Sequence, residues 1–326
     1  EKGQAESARA ALTWASDTAS VATVTAAGVV QAVGLGQAVI SAGFSGYFGR
    51  MTVTVERPQD FTIQTVVTTD GVHAAESRIQ SVLSMSNLNA GGDMAFVANI
   101  SGSTAAVVRD IQGQLTALAR TGDPAPLGGT FTGFGQPVIN ARGEVAFVAN
   151  VVNGVGPLLL LARGSSLFVL LANGDALELG GTVGGITLAP DGLDDNGYAV
   201  VTLTLNNPAY SGVFRISPES PVEGLIRSFE ETSIGLPTAF NLVSVSPSGR
   251  VAVLLSAGAR RGIYVLGSSG PEPVATDGAA APGGGTFAAF QSIRNGSDSD
   301  LYFMATRQGA AASLYRHSPA GIEEIV

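Results

Sequence analysis

The stretch Asn140-Ala141-Arg142-Gly143-Glu144-Val145-Ala146-Phe147 joins a polar turn to an apolar strand, and the same arrangement returns along the chain. Asn89-Ala90-Gly91-Gly92 leads to Phe96 in the same way, and weaker copies lead to Val201, Val253 and Phe303. The apolar end points 96, 147, 201, 253 and 303 are therefore 51, 54, 52 and 50 residues apart. A period of about fifty residues that occurs five times indicates a repeat architecture.

The second repeat contains four short apolar segments separated by turn residues. They are Gln136 to Ile139, Glu144 to Ala149, Pro157 to Ala162 and Ser166 to Leu171. Four antiparallel strands in about fifty residues are typical of a β-propeller blade. We therefore predict an all-β protein in which residues 61–326 form a β-propeller-like array of about five four-stranded repeats.

A second marker, an aspartate in a turn, recurs within the repeats at Asp70, Asp123, Asp175 and Asp277, with a degenerate copy near Glu230. A carboxylate in such a turn usually accepts hydrogen bonds from its own backbone, so we predict turn residues. A ring of these side chains that binds a cation or a glycan, or that catalyses, is the alternative. Repetition argues against catalysis, because an acid and a base need unlike environments.

Residues 10–56 contain three ordered elements, which are Trp14-Ala15-Ser16, Val21-Ala22-Thr23-Val24, and the run from Gly28 to Gly36. They resemble a group-2 bacterial Ig-like domain, which implies a β-sandwich with Trp14 in its core. The N-terminal strands of that fold are missing before Leu12. We place this domain at 1–56, a charged linker that contains Pro58 at 57–60, and the repeats at 61–326.

The repeats resemble the tandem Asn-x-x-Gly-x-x-x-Phe repeats of bacterial choice-of-anchor exported proteins. That resemblance covers residues 61–326 and implies an extracellular or cell-surface location on a bacterium. The first residues, Glu1-Lys2-Gly3-Gln4, have no signal-peptide pattern, so we expect mature material or a fragment.

Composition narrows the possible functions. The 17 basic and 26 acidic residues give a net charge of −9, which is unlike the basic surface of nucleic-acid binders. No apolar stretch is long enough to span a bilayer, so we expect no membrane insertion from this segment. There is no cysteine, and Lys2 is the only lysine, which removes thiol, Ser-Lys and Schiff-base chemistry. We predict a non-enzymatic protein without a cofactor.

Two oxygen-rich loops are candidate Ca²⁺ sites, because Ca²⁺ prefers six to eight oxygen ligands. Their carboxylates are Asp191, Asp194, Asp195, Asp298 and Asp300. Neither loop has the spacing of an EF-hand, and a solvated turn is the simpler interpretation. A carboxylate pair also leaves open a carbohydrate-cleaving or carbohydrate-binding propeller as the alternative function.

The two ends of the chain suggest self-assembly into a filament. Phe61 to Val67 and Ile322 to Val326 both align with the fourth strand of a repeat, so one of them is surplus. The incomplete Ig-like domain would expose an edge near Leu12 and Trp14, which could accept a strand that carries Ile322, Ile325 and Val326 from another copy. We therefore expect a structural or adhesive surface protein whose partners are itself, other surface components or glycans.

Overall fold

The computed structural model describes residues 12–44, 47–56, 72–73, 77–101, 104–267, 269–296 and 298–325. The chain divides into two compact units, residues 1–65 and 66–326. All regular elements in the described ranges are β-strands. Within those ranges no helix has the length and apolar character needed to cross a membrane. The predicted all-β class is therefore confirmed.

The first unit contains five strands in two sheets. Their bounds are β1 Thr13–Ser16, β2 Ala22–Val24, β3 Val30–Ala32, β4 Gly36–Phe44 and β5 Tyr47–Val55. Strands β1, β4 and β5 form an antiparallel sheet in that order, and β2 pairs with β3. A small core of Val21, Ala22, Ala38 and Ile40 packs against the partly buried Trp14. The Ig-like identity of this unit stays a prediction.

The second unit contains five successive antiparallel sheets, here called sheets 1 to 5. Their strands are, for sheet 1, β6 Val72–His73, β7 Ser77–Met85, β8 Met94–Ile100, β9 Thr104–Ile111 and β10 Gln114–Arg120; for sheet 2, β11 Thr130–Phe134, β12 Val138–Ile139, β13 Val145–Val152, β14 Leu158–Arg163 and β15 Ser166–Ala172; for sheet 3, β16 Thr182–Leu193, β17 Ala199–Asn206, β18 Tyr210–Ser217 and β19 Ser220–Arg227; for sheet 4, β20 Ala239–Val245, β21 Val251–Ala257, β22 Arg260–Gly267 and β23 Gly270–Thr276; and for sheet 5, β24 Phe287–Asn295, β25 Leu301–Arg307, β26 Ala312–Ser318 and β27 Gly321–Glu324.

Each sheet follows chain order, and consecutive strands are neighbours except β11 and β12 of sheet 2, which both pair with β13. The four strands predicted in the second repeat are confirmed as β12, β13, β14 and β15 of sheet 2. A further strand that was not predicted, β11, precedes β12 and also pairs with β13. Pro137 separates β11 from β12, and proline has no N–H to donate to the ladder. The predicted linker at 57–60 lies outside the described residues.

The repeat register is confirmed by the strand that follows the polar turn in each sheet. The predicted anchor is the third residue of β8, β13, β17, β21 and β25 in turn. All five side chains are at most 1% exposed; they are Phe96, Phe147, Val201, Val253 and Phe303. A fifty-residue period in the sequence therefore corresponds to one sheet in the structure.

Most of the core lies between successive sheets. One hydrophobic cluster joins sheets 1 and 2, and the next three join sheets 2 and 3, 3 and 4, and 4 and 5. Alternate residues of a strand point to opposite faces, so a strand buried on both faces has no polar positions. The run from Leu158 to Leu161 shows this directly. Leu158 and Leu160 pack toward sheet 1, whereas Leu159 and Leu161 pack toward sheet 3.

Candidate functional site

The Asn-x-x-Gly turns of sheets 1 and 2 each form a hydrogen bond to the corresponding turn of the next sheet. The Oδ1 atom of Asn140 accepts hydrogen bonds from the backbone N–H groups of Arg142 and Glu144 at 3.1 and 3.0 Å. Its Nδ2 atom donates to Glu144 Oε2 at 2.6 Å and to the carbonyl of Asp194 at 2.9 Å. Asp194 occupies the equivalent position in sheet 3, so the asparagine both caps its own turn and holds the next one.

Sheet 1 repeats this geometry one period earlier. Asn89 Oδ1 accepts from the backbone of Gly91 and Asp93 at 2.9 Å. Its Nδ2 atom donates to Asp93 Oδ2 at 3.0 Å and to the carbonyl of Asn140 at 2.9 Å. The asparagine in the repeat motif is therefore an inter-sheet clamp, because its side-chain amide has an acceptor oxygen for its own turn and a donor nitrogen for the next sheet.

The turn carboxylates have pKa values that move in opposite directions. Burial acts to raise the pKa of Glu144, but hydrogen bonds from Asn140 and Arg142 and the charges of Arg142 and Arg163 lower it below its ordinary value. Arg163 Nε lies 2.5 Å from Glu144 Oε1. Burial raises the pKa of Asp194, and the backbone N–H groups of Tyr198, Asn196 and Gly197 offset this only in part. These two groups stabilise turns and lie within the fold.

The aspartates of the second marker are turn residues, as predicted. Asp123 Oδ2 accepts from Arg120 N at 2.9 Å, and Asp175 Oδ2 accepts from Ala172 N at 2.7 Å. Glu230 takes the same role in sheet 3, where its Oε2 accepts from Arg227 N at 3.0 Å.

The predicted equivalence of Asp277 with these residues is wrong. Asp277 accepts from Arg261 N across the hairpin at 2.8 Å, as Thr121 accepts from Ala105 N at 3.1 Å. It therefore stands two positions earlier in the repeat. Asp70 lies outside the described residues.

A cavity of about 240 Å³ is lined by the polar turns of all five sheets and by the strand ends that precede these turns. We call it the five-sheet pocket. Its principal polar side chains are Asn87 from sheet 1, Asp191 and Asp195 from sheet 3, and Arg294 from sheet 5. Arg294 Nη1 donates to Asp191 Oδ1 and Oδ2 at 2.9 and 2.8 Å, and Asn87 Nδ2 donates to Asp191 Oδ1.

An insertion brings Asp191 into this pocket. In sheet 4 the pairing passes from Val243 opposite Val253 to Val245 opposite Val251, which is two residues on each strand. In sheet 3 it passes from Leu188 opposite Val201 to Leu193 opposite Ala199, which is five residues against two. The three extra residues contain Asp191. Gly192 permits the tight bulge, since a Cβ atom there would lie 2.6 Å from the carbonyl of Val200.

Arg294 is a second departure from the repeat. The strand register aligns it with four small or apolar side chains of the other sheets, all at most 7% exposed; they are Ser86, Val138, Ala189 and Ser244. The Arg294 side chain is 58% exposed and reaches over the pocket, while the Asp191 side chain is 18% exposed. The pocket thus contains two side chains that depart from the repeat, Asp191 and Arg294.

The structure gives the five predicted Ca²⁺ ligands separate partners. Asp191 pairs with Arg294, Asp194 caps its own turn, and Asp195 Oδ1 accepts from Ala141 N at 2.8 Å. Asp298 bonds with the Ser248 and Ser246 side chains, and Asp300 lies 3.7 Å from Arg316 Nε. In the described part of the chain, no three His, Asp or Glu side chains converge in a way that would hold a metal ion.

The predicted assembly residues occupy known places in the fold. Leu12 immediately precedes the edge strand β1, and Trp14 packs on the core of the first unit. β27 pairs with β26, so the C-terminal segment is the fourth strand of its own sheet, and Ile322 packs on the cluster between sheets 4 and 5. Ile325 is 45% exposed. Val326 and the Phe61 to Val67 segment lie outside the described residues.

The sequence predicts Asp191 as a metal ligand, and no pattern in it singles out Asn87 or Arg294. One signal was available. The interval from Phe147 to Val201 is 54 residues, the longest of the four, and the three inserted residues lie within it. Arg294 gave no comparable signal, because its alignment with small residues depends on strand register.

A family model matches residues 8–181, which are 174 of the 326 residues. The chain belongs to DUF7453, a family of unknown function. The match includes most of the first unit and all of sheets 1 and 2. No curated protein matches the chain in sequence.

Several solved structures share a broad likeness. TolB from Acinetobacter baumannii is 12% identical with a TM-score of 0.43, over 87% of this chain and 58% of TolB. A puromycin hydrolase is 15% identical with a TM-score of 0.42, over 79% of this chain and 41% of the hydrolase. A gluconolactonase from Xanthomonas campestris is 12% identical with a TM-score of 0.29, over 78% and 92% of the two chains. The chain thus spans about half the length of the first two. Likenesses at this level do not assign a function.

Proposed function

We propose that this protein is a non-enzymatic adhesive component of a bacterial cell surface, in which the five sheets are the blades of a β-propeller-like array and the five-sheet pocket binds a sugar residue. The observation that carries the proposal is the position of Asp191. An insertion that breaks the repeat places this carboxylate in an open pocket, where Arg294 and Asn87 reach it from two other sheets.

The chemistry of the pocket suits a hydroxyl-rich ligand. A carboxylate accepts hydrogen bonds from hydroxyl groups, whereas a guanidinium and an amide donate to them. Sugar hydroxyls can therefore take up the hydrogen bonds that Asp191 now shares with Arg294 and Asn87. A volume of about 240 Å³ is at the small end for ligand pockets, which supports a single sugar residue over an extended chain.

A binding role is favoured over hydrolysis. Glycosidases use two carboxylates in unlike states, one of them free to donate a proton. Both carboxylates of this pocket are engaged as acceptors, Asp191 with Arg294 and Asp195 with the backbone of Ala141. The carbohydrate-cleaving alternative would require one of these contacts to break.

Isothermal titration calorimetry with a panel of monosaccharides and short neutral oligosaccharides tests the proposal. At least one sugar should bind the intact chain, and Asp191→Asn should weaken that binding by about tenfold or more, since a charged hydrogen bond contributes ~1.5–3 kcal/mol. Glu219→Gln is the matched control, because Glu219 also pairs with an arginine, Arg163, but lies 61% exposed outside the pocket.

If no sugar binds, or if Asp191→Asn and Glu219→Gln bind equally well, the proposal is wrong. A new reducing end released from an oligosaccharide would replace it with the carbohydrate-cleaving alternative.

Self-assembly remains part of the proposed structural role. Strands β1 and β27 are the end strands of their sheets, so each presents one unpaired edge within the described strands. Exposed edges of this kind pair with strands of other chains. Sedimentation of the intact chain should show polymers whose amount rises with concentration. A monodisperse monomer at high concentration would remove the filament from the proposal.

A further inference from the structure

Sheet 3 replaces a turn glycine with an exposed aromatic ring. The turn after the fourth strand has Gly122 in sheet 1, Gly174 in sheet 2 and Gly278 in sheet 4, with φ values from +80° to +91°. Phe229 holds this position in sheet 3 and is 54% exposed. One hydrogen bond of the turn is kept, since Glu230 N donates to Arg227 O at 3.0 Å, as Asp123 N donates to Arg120 O at 3.1 Å. Phe229 does not have the positive φ of these glycines, so the backbone of the turn differs in sheet 3.

The Phe229 ring is held in place by two neighbours. The Tyr210 ring meets it edge to face, with centroids 5.2 Å apart and planes at 73°. Tyr210 is itself fixed, because its hydroxyl donates to the carbonyl of Gly180 at 2.8 Å. The Arg227 guanidinium lies 4.8 Å from the centroid of Phe229 and donates to Glu230 Oε1 at 2.7 Å. We call Tyr210, Arg227, Phe229 and Glu230 the Phe229 platform.

A groove of about 530 Å³ adjoins this platform, and Glu230 belongs to both. Its other polar side chains are Arg215 and Glu223, whose Nε and Oε2 atoms are 2.6 Å apart. Apolar surface from Leu225 in sheet 3 and from Leu266 and Pro271 in sheet 4 lines the remainder. The groove therefore combines apolar walls with the Arg215–Glu223 pair and the carboxylate of Glu230.

More than half of the Phe229 surface remains in water, and glycine takes this position in sheets 1, 2 and 4. A rigid aromatic face beside paired carboxylate and guanidinium groups matches the surface of a pyranose, whose C–H face is apolar and whose rim carries hydroxyls. We propose that the Phe229 platform and its groove form a second carbohydrate-binding site, in which one sugar ring stacks on Phe229 and the adjoining residues of an oligosaccharide lie in the groove.

This site shares its ligand class with the proposed function but uses none of the residues of the five-sheet pocket, so the two can fail separately. Titration calorimetry and saturation-transfer NMR with cello-, xylo-, chito- and manno-oligosaccharides test it on the full chain. Phe229→Ala should weaken binding of the preferred oligosaccharide by about tenfold or more and remove the saturation transfer from aromatic protons.

Phe168→Ala is the matched control. Phe168 is also exposed, at 37%, and also lies near an arginine, with Arg163 Cζ 5.9 Å from its centroid. It belongs to sheet 2, whereas the groove is lined by residues of sheets 3 and 4, among them Glu230 of the platform. This variant should bind as the parent chain does, and both variants should keep the parent melting temperature.

Four outcomes are distinguishable. Loss of binding in Phe229→Ala, with Phe168→Ala unchanged, supports the second site whatever Asp191→Asn does. Binding that depends on Asp191 and not on Phe229 overturns the second site and leaves the proposed function standing. Absence of binding to every oligosaccharide overturns the second site, and absence of binding to the monosaccharides as well overturns both. Binding of an aromatic or proline-rich peptide at Phe229, without any sugar, shows that the platform recognises peptides and overturns the carbohydrate assignment.

Discussion

The turns of sheets 2 and 3 have the same backbone but different clamps. Asn140 Oδ1 and Asp194 Oδ1 each accept from the N–H groups two and four residues later, at 2.8 to 3.1 Å. Asn140 also donates to the carbonyl of Asp194 in the next sheet, whereas an ionised Asp194 has no proton to donate. Capping a turn requires only an acceptor, and this explains why asparagine, aspartate and serine all occur there. Holding the next sheet requires a donor as well.

The core is common to both sheets, so its disruption should have the largest effect. Phe147 is fully buried and lies opposite Leu160, while in sheet 3 the smaller Val201 lies opposite the larger Phe214. Phe147→Ala leaves a cavity that Leu160 cannot fill, and we expect it to lower the free energy of unfolding by ~3–5 kcal/mol in urea titration. Phe168→Ala, at a half-exposed ring, should cost far less. Equal losses would contradict the assignment of Phe147 to the repeat core.

Converting the sheet 2 turn to the sheet 3 type tests the clamp. Asn140→Asp keeps the acceptor but removes the donor to Asp194 O, and it places a second carboxylate beside Glu144 Oε2. We expect a loss of ~2–3 kcal/mol near neutral pH, because buried acceptors lose their donor and two like charges meet. The loss should shrink in acid, as the carboxyl groups take up protons. Asn173→Asp, at an exposed turn of the same sheet, is the control, and a similar loss there would mean that the clamp carries no special energy.

Sheets 4 and 5 each have a buried tyrosine at the same position of the repeat, and the two differ in their hydrogen bonding. The Tyr264 hydroxyl lies 2.7 Å from Ser233 Oγ, whereas the equivalent Tyr315 hydroxyl is buried and has no hydrogen-bond partner among the residues that the structure describes. Tyr264→Phe should lower stability by ~1 kcal/mol, and Tyr315→Phe should leave it unchanged or raise it by about the same amount. Thermal unfolding of the two variants in parallel measures this difference. Equal destabilisation would show that the Tyr315 hydroxyl has a partner after all.

Converting the sheet 3 turn to the sheet 2 type should have the smallest effect on the free energy of unfolding. It should raise stability, whereas the reverse conversion in sheet 2 lowers it. Asp194→Asn supplies the missing donor and removes a carboxylate whose pKa burial raises, so we expect a gain of ~1 kcal/mol at pH 7. The folded protein holds the Asp194 proton more tightly than the unfolded chain does. Its contribution to stability is therefore largest below the unfolded pKa and falls as pH rises through the folded pKa.

The gain from Asp194→Asn should accordingly grow from about pH 3 toward pH 7 in urea titrations. Asp123→Asn makes the same chemical change at a half-buried turn that only caps itself, and its unfolding free energy, measured over the same pH range, is the reference for the Asp194→Asn series. A gain that is constant with pH would mean that the raised pKa of Asp194 does not contribute.

The all-β class and the repeat follow from the amino-acid sequence alone. Sheets buried on both faces leave apolar runs such as Leu158 to Leu161, and turns mark where each strand ends. The turn role of Asp123 and Asp175 follows from the sequence as well, because that role depends on neighbours three residues away. Such local constraints are visible in spacing and composition.

The composition of the site could not be predicted from the sequence, because it depends on the tertiary structure. Asp191, Asn87 and Arg294 come from three sheets, about one hundred residues apart on either side of Asp191, and no local pattern links them. The register that makes Arg294 equivalent to Ser244, and that separates Asp277 from Asp123, depends on hydrogen bonds between strands. A turn aspartate looks the same in the sequence whether it caps itself or faces a pocket, because the three-residue insertion acts only when the sheets come together.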